Sequence, residues 1–539
     1  MTDVFRGAER QSGASAKVDR AARVQGVVIG LLFSTLIAAS LTIATAKAGI
    51  SPGVSPLVVL LGWVFGGAIL GSRLRPFLAM AQVTGSGGAA VSAGVIFTAP
   101  ILQIYFGSDR PVDTGTLIAV SVAGVFLGWG FVGLATRRFL TDPRLPAPEA
   151  VACDRLIATA TDRPQDRPPV FRSLIVGFLL GAIANAAVAF KWLLEEVAFL
   201  TTSFASKASA LREPTLSAQL PLPLSPLYLG IGALLTLSTA LLIFTGGIVN
   251  AVTVHFAAAH GLPPTTFRWV GGAAMTVAVI YSLIRYALDG RAERRRRATA
   301  EADADDPRLE ISSGMQRALI ASIALGFVIL IGVLVSSRAS VGAVIGIGVV
   351  GLVLVSLLSG LGGLLSLQVG SSASPVSGTV FVAMLVLSTI TLFFYDDEAG
   401  VIVLVPILVA VCVAICAAND SSQDYKTMQL NGYRVSDSFT GQLCGLLAGA
   451  IVVPYALAVA HEQLGGLGSE ALACPQASFF GEVLRVLFSK SDLFHEDMID
   501  PIWKPVGVGV ALGFVAVGLE IWGRRRGTVL SSLAFAVGI

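Results

Sequence analysis

The residues with chemical potential lie in four short polar stretches set among long apolar runs. Two are rich in glycine and serine, Gly85-Ser-Gly-Gly-Ala-Ala-Val-Ser-Ala-Gly94 and Gly370-Ser-Ser-Ala-Ser-Pro-Val-Ser-Gly378. Gly85, Ser86, Gly87, Gly88 and Ser92 in the first, and Ser371, Ser372, Ser374, Pro375 and Ser377 in the second, offer hydroxyls and open backbone to a zwitterionic solute. The other two carry carboxylates: Leu145-Pro-Ala-Pro-Glu-Ala-Val-Ala-Cys-Asp154 and Ala418-Asn-Asp-Ser-Ser-Gln-Asp-Tyr-Lys-Thr427. A carboxylate in a partly dry cavity has a raised pKa and exchanges a proton near neutrality. Asp420, Gln423, Asp424 and Lys426, with Glu149 opposite, are therefore expected to form a proton-coupling cluster, a gate or an ion pair.

Each stretch also has a plainer structural reading. Small residues allow close packing of membrane helices, and Asp420 followed by Gln423 suits a helix N-cap with its box partner. Cys412 and Cys416 share a helix face but have no His or carboxylate beside them, so packing is expected there. His255 and His260 could carry protons, although an interfacial position suits them too. Lys191, Glu195, Glu196, Glu462 and Glu520 lie near span ends, where they can reach the interface. Phosphate-loop, HExxH and paired CxxC spacings do not occur, so no cofactor or metal is expected.

These stretches need elements to hold them, and composition says which. The chain has 539 residues, 54% hydrophobic and only 13% charged, with a mean hydropathy of +0.79. Soluble domains carry about 25% charged residues, so the sequence predicts an all-α, polytopic membrane protein. A net charge of +3 gives no field for nucleic acid. Five cysteines, mostly in apolar runs, argue against an extracellular disulfide framework.

Apolar runs of spanning length predict crossings at 26–46, 54–71, 89–106, 116–135, 171–190, 227–244, 267–287, 315–335, 341–358, 378–394, 401–417, 440–460 and 506–522. A short 247–259 segment, meeting its neighbour at Gly246 and Gly247, and weaker candidates at 471–488 and 529–537 complete the series. The organisation expected is a tail (1–25), a first transmembrane repeat (26–287), a charged linker (288–314) and a second repeat (315–539). Arginines in the tail, after Gly71 and between Arg137 and Arg172 place the tail and linker in the cytoplasm of a multi-pass inner-membrane protein.

The Gly85 and Gly370 stretches align with small gaps, and each opens the third span of its half. Interrupted or re-entrant segments at matching places in a duplicated chain point to the site of a secondary transporter. An intramembrane enzyme acting on a lipid-linked substrate, a channel and a non-transporting subunit are the competing readings.

The same residues resemble the oligopeptide transporter family, which includes the yellow stripe-like transporters of metal chelates. Val369 to Gly378 is similar to that family's GSSxNPVSG segment, Asn419 to Thr427 to its gDtmQDlKTGy segment, and Leu145 to Ala152 to its LPyPEGtA segment. Departures are Ala373 and Ser374 before Pro375, Met428 and Gln429 after Thr427, and Ala150 after Glu149. The resemblance implies about 14 to 16 helices in two homologous halves. It also implies symport of small peptides or metal-chelate complexes, driven by the proton gradient, with the lipid bilayer as partner and a homodimer as a candidate assembly.

Overall fold

The computed structural model describes residues 19–49, 51–67, 70–107, 109–142, 145–161, 176–177, 179–184, 186–187, 196–203, 217–223, 237–259, 266–299, 306–372, 374, 376–395, 397–469, 471–488, 496–526 and 530–538. Among these, sixteen α-helices account for nearly all of the ordered backbone. In lipid the helix is the element that satisfies its own peptide groups, and that requirement dictates the class.

The first half contributes α1 (Arg20–Ala48), α2 (Ser55–Gly66), α3 (Leu74–Ile96), α4 (Ile101–Phe106), α5 (Thr114–Leu140), α6 (Pro148–Thr161), α7 (Leu237–Ala259) and α8 (Thr266–Thr299). The second contributes α9 (Ser313–Ser336), α10 (Val341–Val369), α11 (Val376–Leu392), α12 (Ala399–Leu430), α13 (Phe439–Gln463), α14 (Pro475–Phe488), α15 (Glu496–Arg525) and α16 (Ser532–Gly538). Among the described residues, eight segments are long and apolar enough to cross a membrane: those of α1, α3 with α4, α5, α9, α10, α12, α13 and α15. Shorter apolar stretches occur in α2, α7, α8 and α11. The polytopic, all-helical expectation holds, with one addition among the described residues, an antiparallel pair of strands β1 (Glu196–Ser203) and β2 (Ser217–Pro223).

Helix α12 is the axis. Its most apolar window is 94% buried, against 33% for α1, α9 and α10. Helices α3, α5, α10 and α11 surround it, while Ile320, Val328, Ile345 and Val349 on α9 and α10 remain exposed, as lipid-facing residues should be. A second group joins the last helices of both halves, with α8 against α15 and α7 against α16. Met275 of α8 presses on Gly378 of α11, and Trp269 of α8 meets Phe479 of α14, fastening this group to the rest.

Several boundaries differ from the sequence reading. The Gly85–Gly94 stretch is not interrupted, because α3 runs unbroken through it. Packing explains this: a Cβ on Gly87 would stand 2.5 Å from Leu446 N, and one on Gly94 2.5 Å from Val413 Cα, so the glycines admit neighbouring backbones. The 370–375 stretch does separate two helices, with Gly370 at φ 95° ending α10. No break occurs at Gly246 and Gly247 either, since α7 is continuous there and receives the backbone of Phe535 and Gly538 from α16. Helix α12 continues thirteen residues beyond Ala417, and α8 continues through Arg291 to Thr299. Lys191, Glu195, His260, Pro375 and residues 300–305 lie outside the described residues, as does half of the expected 171–190 crossing.

Candidate functional site

Three short or broken elements meet beside the last turns of α12. Helix α2 starts at Ser55, α6 starts at Pro148, and the 370–375 break separates α10 from α11. On α12, Asp424 meets α2, Gln423 meets α6 and Asn419 meets the break, since the helical period of 3.6 brings these positions to adjoining faces beside two carboxylate nodes.

The first node is Asp424, fully buried. Ser55 Oγ donates to its Oδ1 at 2.9 Å and Ser86 Oγ to its Oδ2 at 2.6 Å. Gln82 Nε2 donates to Oδ1 as well. Gln442 of α13, in the amide orientation where each end meets a complementary partner, donates to Oδ2 at 3.0 Å and to Val83 O at 2.6 Å, and accepts from Ser421 Oγ at 3.1 Å. Neutral donors from three other helices thus solvate one carboxylate.

Glu149 forms the second node, in the first turn of α6, where the positive end of the helix favours an anion. Ser371 Oγ donates to its Oε2 at 2.5 Å, while Ser372 donates to Oε1 through its backbone N at 3.0 Å and its Oγ at 2.9 Å. Gly53 N in turn donates to Ser372 Oγ at 2.7 Å. A side chain at Gly53 would collide with both, since its Cβ would lie 2.8 Å from the Glu149 oxygens and from Ser372 Oγ. Loops from the two halves therefore close over this carboxylate.

Gln423 and Asn419 tie the nodes together. Gln423 Oε1 accepts from Ala150 N at 3.0 Å and its Nε2 donates to Ser366 O at 2.5 Å. Asn419 Nδ2 donates to Ser371 O at 3.3 Å and to Asp420 Oδ1 at 3.4 Å. Asp420 lies well inside α12, so it is not an N-cap. The ion pair expected between these carboxylates and Lys426 does not form. Residues two apart on a helix do not face each other, and Lys426 Nζ donates instead to Gln429 Oε1 at 2.8 Å and Leu140 O at 3.4 Å.

The glycine and serine residues divide. Ser86, Ser371 and Ser372 bind the carboxylates directly. Gly85, Gly87 and Gly88 are packing positions against Val58, Gly445 with Leu446, and Ser34. Ser92 is buried with no partner on its hydroxyl among the described residues. Ser374 and Ser377 are half-buried beside the break. Sequence reading missed Ser55, Gln82 and Gln442, single polar residues in apolar runs; their common partner Asp424 lies hundreds of positions from the first two and on the preceding helix for the third. Of the residues flagged near span ends, Glu462 is exposed, and Glu520 is buried and paired with Arg285 at 3.0 Å and Arg524 at 3.2 Å. All five cysteines are free, and Cys412 and Cys416 pack inside α12's surroundings.

A multi-pass helical bundle whose interior holds ionisable groups, sealed by broken and short helices, has the build of a membrane transporter. The sequence agrees with that class. It matches the family described as OPT oligopeptide transporter protein over residues 24–260 and 258–539, and the chain belongs to that family. It is also similar to a Haemophilus influenzae protein that carries the provisional name oligopeptide transporter. The two are 24% identical over 510 residues, which cover 85% of this chain and 76% of that protein.

Proposed function

We propose that this transporter is a proton symporter of the inner membrane that moves small peptides or metal-chelate complexes, and that it is a carrier and not an enzyme. The supporting observation is the buried pair of nodes at Asp424 and Glu149, with Asp420 one helical turn before Asp424 on α12. Among the described residues no Lys, Arg or His pairs with any of the three. Charge buried without a counter-ion is costly, and proton uptake removes that cost during each cycle.

One proton suffices energetically. About 2.3 kcal/mol per charge at 100 mV and about 1.4 kcal/mol per pH unit together drive several-hundred-fold accumulation of a neutral solute. In this reading the 26–287 and 315–539 repeats enclose the path, and the tail and the 288–314 linker face the cytoplasm. The test is uptake by proteoliposomes under an imposed acid-outside gradient, using di- to pentapeptides and iron, copper or nickel chelates. Wild type should accumulate a solute. Asp424→Asn and Glu149→Gln should keep solute exchange at equal pH but lose gradient-driven accumulation, and undiminished accumulation in both variants would overturn the coupling.

A further inference from the structure

At one rim of the bundle the two halves of the chain are joined by a small polar seal, and the linker supplies part of it. The last linker residues form a single turn, Pro307–Leu309, capped by Asp306. This turn touches the end of α5 and the Val435–Asp437 turn that follows α12. Leu309 is its one buried residue.

Gln429 stands at the centre of the seal. Its Nε2 donates to Asp306 Oδ2 at 3.0 Å, its backbone O accepts from Arg308 Nη1 at 3.2 Å, and its Oε1 accepts from Lys426 Nζ at 2.8 Å. Lys426 Nζ also donates to O of Leu140, the last residue of α5, at 3.4 Å. One amide thus connects the linker, α12 of the second half and, through Lys426, α5 of the first. Beside it, Ser436 Oγ donates to Glu310 O at 3.3 Å and Arg434 stands 3.8 Å from the Glu310 carboxylate.

Gln423 and Asp424, which reach the two nodes, lie within one helical turn of Lys426, so the seal closes this end of the site. It is also far weaker than what it covers. The Arg308 and Glu310 side chains are 40% and 70% exposed, and exposed polar contacts contribute little, whereas the apolar window of α12 is 94% buried. Segments that move are drawn from the low-stability end of a structure. Resting on the transporter reading, we propose that Asp306, Gln429 and Lys426 form a latch whose release lets α5 and α12 part and opens the linker-side end of the site to water. Water takes over the hydrogen bonds of all three groups on release, so opening costs little.

Thiol labelling of the purified protein in detergent tests this, with modification by N-ethylmaleimide followed in time and mapped by mass spectrometry. Cys153 sits one turn after Glu149 on α6 and is fully buried, so it reacts only through an opening beside the site. Gln429→Ala, which removes the amide from both Asp306 and Lys426, should speed Cys153 labelling at least about threefold, and Asp306→Ala should speed it less. Cys412 and Cys416, buried in α12, should stay unlabelled. An unchanged Cys153 rate in Gln429→Ala overturns the latch, and so does a rise shared by Cys412 and Cys416, which marks general unfolding. In the converse arm, Glu310→Cys with Ser436→Cys is joined in proteoliposomes by a reductant-cleavable bis-methanethiosulfonate, with wild type given the same reagent. Uptake should fall at least about tenfold on joining and recover on reduction, and undiminished uptake through the joined protein overturns the latch as well. The transporter reading fails separately, through absence of uptake by untreated wild type, and labelling then still decides whether the seal opens.

Discussion

Asp424 shows how a buried charge survives without a counter-ion, since dipoles from α2, α3 and α13 replace the water it lost. Its substitutions should therefore separate by chemistry. In Asp424→Asn the Gln442 amide can rotate and Ser86 can accept, so the fold is expected to persist with a modest fall in Tm. Asp424→Leu orphans Ser55 Oγ and Gln82 Nε2 at about 1–3 kcal/mol each and takes one of two acceptors from Ser86 and Gln442, and should leave little folded protein by size-exclusion chromatography in detergent. The carboxylates were legible because they sit in recognisable motifs. Their partners were not, because a lone Ser55 or Gln82 in an apolar run does not announce which helix it will face.

Glycines set the distance between elements. A Cβ at Gly87 would strike the backbone of Gly445 and Leu446, which cannot yield as a flexible side chain would. Gly87→Val should separate α3 from α13 and cost about 3 kcal/mol, read as lower Tm and loss of monodisperse protein. Gly71→Ala is a useful contrast at φ 49° with open space around it, where backbone strain is the whole penalty.

The end of the linker is a second element-level contact. Asp306 accepts from Arg308 Nε at 2.8 Å and Gln429 Nε2 at 3.0 Å, and Arg308 Nη1 donates to Gln429 O at 3.2 Å, which fixes the end of α12. Burial pushes the Asp306 carboxyl up, but the hydrogen bonds from Arg308 and Gln429 and the charge of Arg308 outweigh it and hold the group below its ordinary 3.8. A lowered carboxyl stabilises the fold above the ordinary value and loses that contribution as pH falls through the folded one. Asp306→Asn should thus lower Tm at neutral pH by an amount worth under about 1 kcal/mol, and the gap from wild type should close as pH falls below 3.8.

At the scale of the whole molecule, the last helices of the two halves are locked by one carboxylate. Glu520 of α15 receives Arg285 of α8, Arg524, and both the backbone N and Oγ of Ser532, at 2.9 and 2.6 Å, at the start of α16. Glu520→Ala removes the acceptor of the buried Ser532 N and Oγ and should cost about 1–3 kcal/mol. Limited proteolysis should then cut between α15 and α16 sooner than in wild type, while Glu520→Gln, which keeps the acceptor oxygen, should lie between the two.

Hydropathy and the mass of apolar residues determined by themselves that this chain is a multi-pass helical protein, because the bilayer admits few other solutions. The motifs identified the family and the carboxylates. What only tertiary structure decided was which polar stretch bends. Gly85–Gly94 and 370–375 look alike in composition, yet the first stays helical because other backbones press into its glycines. The second parts two helices because Gly370 turns left-handed and Glu149 supplies the donors' partner. Local sequence cannot distinguish the two, since the deciding atoms belong to residues far along the chain.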